Sequence, residues 1–202
     1  MATRISFINE IASICEKVGA DIKEVSKAMG LDKRIGSVYL EAGLGYGGSC
    51  LPKDVQALVH LAAINGSHPR LLRAVMEINR DQRRLIVQRL IDIFGLLEGR
   101  TIAVLGLSFK PDTDDLRGSS ALEVIHLLRA EGAFVKAYDP VSNEIARKIL
   151  NGVEICDDAY SAAKDSDAIV IATELNEFKQ LDKQRMKKLM KNPVIIDGRN
   201  IY

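Results

Sequence analysis

The chain has 202 residues, 47% of them hydrophobic, and a formal net charge of +1. That is apolar material for one large or two small cores, and a charge balance that gives no electrostatic footing for nucleic acid or an anionic membrane. No apolar run approaches the roughly 20 residues of a membrane span, MATRISFINE has no signal-peptide core, and Cys15, Cys50 and Cys156 are too few and scattered for a disulfide framework or a zinc site. A reducing cytoplasm is the expected setting, with no nucleic-acid, membrane or metal partner.

The first stretch is helical by pattern. Ile5, Ile8, Ala12 and Cys15 alternate spacings of three and four, so they share one face. No cap or lead-in precedes them, so the helix is expected to be cut on its N-terminal side, and Gly19 ends it. Asp21 with Glu24 resembles a capping box for a short second helix that Gly30 closes. Lys33, Arg34 and Gly36 follow on a loop, where Arg34 taken alone reads as a solvated charge.

Gly43 to Asp54 reads GLGYGGSCLPKD and carries the densest chemistry of the chain. Glycines let backbone approach a ligand closely, and Pro52 suits the first turn of a helix, whose free N–H groups favour negative charge. Cys50 therefore sits at a helix N-terminus with Lys53 one turn inside, and both features favour a nucleophilic thiolate. Asp54, four residues on, shares the helix face and can reach a water or the thiol. Gly43, Gly45 and Gly48 also satisfy a dinucleotide fingerprint, but VYLEA ahead of them is a weak strand. A bystander cysteine in a Gly-rich loop is the competing reading, because free cysteines commonly serve as small buried hydrophobes. Local chemistry leaves both open.

Beyond Asp54, Val55, Leu58, Val59 and Ala62 make an apolar helix face that Asn65-Gly66 breaks. Pro69 opens a long helix to Phe94, with Leu71, Val75, Ile78, Leu85 and Leu90 on its inner side. At about 1.5 Å per residue it reaches roughly 40 Å, which suits a spine between domains. Asn79 and Gln82 interrupt the stripe, as interface polar contacts or as a solvated edge. From Thr101 onward IAVLG, FVKAY, VEIC, AIVIA and VIID alternate with helical segments, which predicts five strands in a mostly parallel sheet. Ligands are expected beyond the strands' carboxyl ends, where the strand order reverses. Phe109 and Lys110 stand there, as a base-stacking ring and a phosphate-neutralising cation or as a plain loop pair. Asp139 imitates a ribose-binding acid, but with only Gly106 left of a glycine fingerprint it reads better as a turn or cap. The expected architecture is α/β plus all-α, with a helical central domain over 1–97 and a Rossmann-like domain over 98–202.

GYGGSCLPKD closely resembles the active-site segment of the UDP-glucose/GDP-mannose dehydrogenase family. SFINEIASICEKVGAD, DKRIG and GLSFKPDTDDLR resemble further family segments in the same order. The resemblance runs over the whole chain but covers the second half of such an enzyme. It implies a central dimerisation domain followed by a UDP-binding domain, NAD as cofactor, a nucleotide-sugar substrate and a homodimer. It implies Cys50 and Asp54 as catalytic, and Lys53 and Arg117 as cofactor contacts. Substrate contacts are implied for Tyr39, Leu40, Glu41, Ala42 and Gly43, for Gly47, Phe109 and Lys110, for Arg199, and for Arg34 reaching a neighbouring subunit's nucleotide. Gly118-Ser119-Ser120 departs from the Glu-Ser-Pro common in the family, which is expected to alter how the next helix begins rather than chemistry.

The implied reaction oxidises a primary alcohol at C6 of the sugar to an aldehyde, which Cys50 traps. A second oxidation gives a thioester that water, oriented by Asp54, hydrolyses. An NAD-binding domain and the family's catalytic lysine and asparagine are expected upstream of residue 1, so this stretch alone is expected to bind rather than turn over. The YDP and TELNEF segments lean towards UDP-glucose. GDP-mannose, and a non-catalytic nucleotide-binding or dimerisation module, stand as alternatives.

Overall fold

A computed structural model describes residues 1–202. The chain divides into two compact units, Met1–Gln82 and Arg83–Tyr202.

The first unit is helical. α1 (Ala2–Val18) ends at Gly19, whose left-handed φ of 71° turns the chain away. α2 (Ile22–Gly30) starts at Asp21, whose carboxylate accepts from Lys23 N. The cap is real, while the reciprocal arm expected from Glu24 is absent and Gly30 is itself the last helical residue. α3 runs Leu51–Ile64 and α4 runs Arg70–Phe94. Ala2, Tyr46, Val55 and Val75 make the core, flanked by Ile5, Leu51, Leu72 and Met76. The expected apolar faces are only partly covered: Val55 is buried but Leu58 and Leu71 are exposed. Asn79 is no solvated edge, being 5% exposed.

The second unit begins within α4. β1 (Thr101–Leu105), β2 (Phe134–Tyr138), β3 (Glu154–Ile155), β4 (Ala168–Ile171) and β5 (Val194–Asp197) form one parallel sheet in the order β3-β2-β1-β4-β5. Val104 pairs with Ala137 on one side and Val170 on the other, and successive residues of β1 and β4, Ile102 to Leu105 and Ala168 to Ile171, are all buried, so these central strands are covered on both faces and read as unbroken apolar runs. VEIC contributes a ladder of just two residues at the sheet edge. The helices are α5 (Ser120–Ala130), α6 (Asn143–Ile149), α7 (Ala159–Ala163), α8 (Asn176–Lys179) and α9 (Lys183–Leu189). α8 is a short helix within the TELNEF loop that apolar periodicity does not announce, and its Phe178 is fully buried in the core.

Gly118-Ser119-Ser120 lies at the start of α5. Ser119 caps α5 by accepting from Ala121 N and donates its own hydroxyl to Leu107 O, while Ser120 Oγ accepts from Arg83 Nη2 at 3.1 Å.

Asp139, at the end of β2, is wholly buried. Oδ2 accepts from Leu107 N, Ser108 N and Ser108 Oγ, and Oδ1 from Val141 N and Ser142 N. Its lone pairs are committed to the protein's own backbone, so it is a turn-former and not a ribose acid. Burial alone would raise its pKa, but the N–H donors of Leu107, Val141, Ser108 and Ser142 outweigh burial and hold it below the usual carboxylate range. A depressed folded-state pKa contributes stability above the unfolded value, and that contribution is lost as pH falls through the folded one. Asp139→Asn sets an amide donor against N–H donors and is expected to cost about 1–3 kcal/mol in urea unfolding at pH 7. The gap to wild type narrows as pH falls below about 3.9.

Candidate functional site

The Gly-rich loop is held from two helices. On α1, Asn9 Oδ1 accepts from Gly43 N at 2.7 Å. On α4, Asn79 Oδ1 accepts from Tyr46 N at 2.7 Å while its Nδ2 donates to Tyr46 O at 3.0 Å. Gly45 lies between them at φ +84°, and a Cβ there would overlap Asn79 Oδ1, so this glycine is required both by conformation and by close approach. Tyr46 is buried in the core with Val55 and Val75.

Four residues beyond Tyr46, Cys50 is the N-cap of α3, with Pro52 in the first turn and no side-chain cap bond. The thiol is exposed, 3.8 Å from Ser49 Oγ. Asp54 N donates to Cys50 O at 3.0 Å, which continues the first turn and places Asp54 one turn along the same face. Lys53 Nζ stands 3.6 Å from Asp54 Oδ1, both side chains about two-thirds exposed, so this ion pair holds neither group strongly. The structure thus groups Cys50, Lys53 and Asp54 on an open helix start.

The preceding segment is presented in the same unit. Tyr39 is exposed with φ 62°, Leu40 is buried as an anchor, Glu41 is exposed, and Ala42, Gly43 and Gly47 are half-buried. Arg34 is almost wholly exposed and folds back in a fork onto Asp32, with Nη2 2.6 Å from Oδ2. The pairing holds Asp32 below its usual range and raises Arg34.

The remaining site residues lie at strand ends of the second unit. After β1, Phe109 is half-buried and Lys110 exposed, its Nζ 5.4 Å from the ring centroid. Arg117 makes a bidentate pair with Asp115, whose carboxyl it holds at about 2. Arg199, after β5, is turned inward. Its Nε donates to Ala172 O at 2.8 Å and stands 3.2 Å from Glu174 Oε2. Burial lowers its pKa, and Glu174 opposes that.

The sheet does not fit a dinucleotide at its switch point between β1 and β4. Gly106, at φ +89°, is packed so closely on Thr173 that a Cβ would come within 2.5 Å of the threonine Cβ. Thr173 Oγ1 also donates to Ser108 O at 2.9 Å, closing the space a pyrophosphate would use. A neighbouring cleft of about 390 Å³ is lined by Asp112, Glu174 and Glu177 beside Lys179, a charge balance that repels phosphate.

Sequence reasoning did not assign Asn9, and it left Asn79 undecided. The available signal was a short amide inside an apolar helical stripe, which is costly to bury unless it is bonded.

Among the thiols, Cys15 and Cys156 are buried and Cys156 is pushed up to about 11 by burial and by Glu154. In the native chain iodoacetamide is therefore expected to alkylate Cys50 roughly tenfold or more faster than either of the others, read by peptide mass spectrometry.

Two family models match. The UDP-glucose/GDP-mannose dehydrogenase family central domain covers residues 1–81, and that family's UDP binding domain covers 103–202. The chain is 50% identical over 203 residues to UDP-glucose 6-dehydrogenase TuaD of Bacillus subtilis, covering 100% of this chain and 44% of that protein. A UDP-glucose dehydrogenase from Pyrobaculum islandicum superposes with a TM-score of 0.93 at 39% identity, covering 99% of this chain and 45% of its own. A UDP-D-ManNAc dehydrogenase from Pyrococcus horikoshii gives 0.84 at 30%, covering 100% and 46%. The chain spans about half the length of the relatives it matches.

Proposed function

The chain belongs to the UDP-glucose/GDP-mannose dehydrogenase family, and we propose that it carries the thiol and sugar-nucleotide part of an oxidation of UDP-glucose to UDP-glucuronate. The observation that carries this reading is the exposed Cys50 at the start of α3, behind a clamped glycine loop and one turn from Asp54. An exposed thiol at a helix start is open to approach by a carbonyl carbon, and sulfur is an intrinsically strong nucleophile.

The chemistry assigned to the chain's own residues follows. Cys50 Sγ adds to the C6 aldehyde to give a thiohemiacetal, whose oxidation leaves a thioester. Water then attacks the thioester carbonyl, releasing the carboxylate and returning the thiol. Covalent capture divides a four-electron oxidation into two and retains the reactive aldehyde. Asp54 orients that water or takes its proton. In the second unit Lys110 neutralises the diphosphate and Phe109 and Arg199 contact the nucleotide; in the first, the 39–43 segment and Gly47 contact substrate, and Arg34 reaches the diphosphate of a neighbouring subunit. NAD, when bound, accepts the hydrides. Lys53 and Arg117 supply positive charge towards it, and its dinucleotide cradle belongs to a part of the enzyme other than this sheet.

UDP-glucose is favoured over GDP-mannose by the 50% and 39% identity to the Bacillus and Pyrobaculum enzymes, against 26% to a GDP-mannose dehydrogenase of Pseudomonas aeruginosa. A homodimer is supported by apolar side chains left exposed in the first unit, Phe7, Ile14 and Val18 on α1 and Leu58, Leu61 and Ile64 on α3. Three free thiols suit a reducing cytoplasm, and no helix is long and apolar enough to cross a membrane.

Calorimetric titration is expected to show UDP-glucose binding at least about tenfold tighter than GDP-mannose, which is about 1.4 kcal/mol of discrimination. The reverse preference makes the GDP-mannose reading the correct one, and binding of neither leaves a dimerisation module. With NAD and UDP-glucose the chain by itself is expected to form no NADH. Joined to an NAD-binding domain it turns over, and Cys50→Ser then abolishes product release.

A further inference from the structure

We propose that Asn9 and Asn79 are positioning residues, which set the Gly43–Tyr46 backbone in its ligand-ready form before substrate arrives. The inference rests on the sugar-nucleotide reading above. A loop with glycine at 43, 45, 47 and 48 is costly to order, and a ligand that must order it binds more weakly. Here the ordering is done by side-chain amides. Asn9 fixes Gly43 N, and Asn79 closes both the N–H and the C=O of Tyr46 in one ring of hydrogen bonds. The two anchors bracket Gly45 and end one residue before Gly47 and four before Cys50.

A purely stabilising role fits less well. Asn9 is 1% exposed and its Nδ2 is buried with no hydrogen-bond partner, a cost that an apolar residue at this position would avoid. The amide is therefore kept for what its oxygen holds, which is the backbone of Gly43. Gly45 and Asn79 are likewise fitted to each other, since the space for a Cβ at 45 is taken by the Asn79 carboxamide.

The test uses the 202-residue chain and two separable numbers, the iodoacetamide rate at Cys50 without ligand and the UDP-glucose concentration that halves it. Asn79→Ala is expected to raise that concentration about tenfold, with a smaller rise for Asn9→Ala, while the ligand-free rate stays within about twofold, because only ligand binding draws on a pre-ordered loop. Asn79→Asp retains the acceptor for Tyr46 N but opposes an oxygen to Tyr46 O, and serves where the alanine variant does not fold. A half-protection concentration unchanged in folded variants overturns the proposal, as does a ligand-free rate that shifts as far as the protection does. If UDP-glucose fails to protect the wild type, the substrate reading falls and amide exchange decides the clamp: slow exchange at Gly43 and Tyr46, lost in Asn79→Ala, upholds it, and exchange at free-peptide rates in the wild type refutes it.

Discussion

The first unit depends on a side chain imitating a strand partner. Asn79 offers one acceptor and one donor in the plane of its carboxamide, and Tyr46 offers the complementary N–H and C=O. Buried backbone groups need partners, and a loop too rich in glycine to form regular structure cannot supply its own. By satisfying Tyr46 from α4, the asparagine lets the tyrosine ring enter the core with Val55 and Val75. Ser6, donating its hydroxyl to Val75 O, ties α1 to the same stretch of α4. Cys50 stands exposed four residues beyond these inward-facing polar contacts.

The second unit uses a nucleotide-binding topology with its usual opening closed. The glycine that would admit a phosphate is packed against Thr173, and the acid that would hold a ribose is enclosed by main-chain donors. Both residues retain the positions a dinucleotide fold assigns them, and both serve the protein's own backbone. Fold alone would have suggested a cofactor site here, whereas the side chains point to a different division of labour.

Much of the architecture was legible because burial on both faces leaves a plain trace. IAVLG and AIVIA are uninterrupted apolar runs, and the structure makes each a strand. VEIC was read as longer than its two paired residues because an edge strand has one neighbour to define it. α8 escaped notice because four residues are too short to show a period. Leu58 and Leu71 were read as core by spacing, and spacing cannot say what covers a face. In the candidate site, Cys50 was placeable because glycine and proline punctuate the local backbone. Asn9 and Asn79 left no comparable trace, since their partners lie 34 and 33 residues away in sequence.

Thr173 has one more consequence. Its hydroxyl bolts the loop after β1 to the end of β4 by way of Ser108 O, so two segments that part in open α/β sheets are here fastened like the leaves of a shut door. Whatever settles on this end of the sheet meets a rigid sill and must rest along its rim. Loosening that single fastening would change the mechanics of the whole strand-end face, although no charged group would have moved.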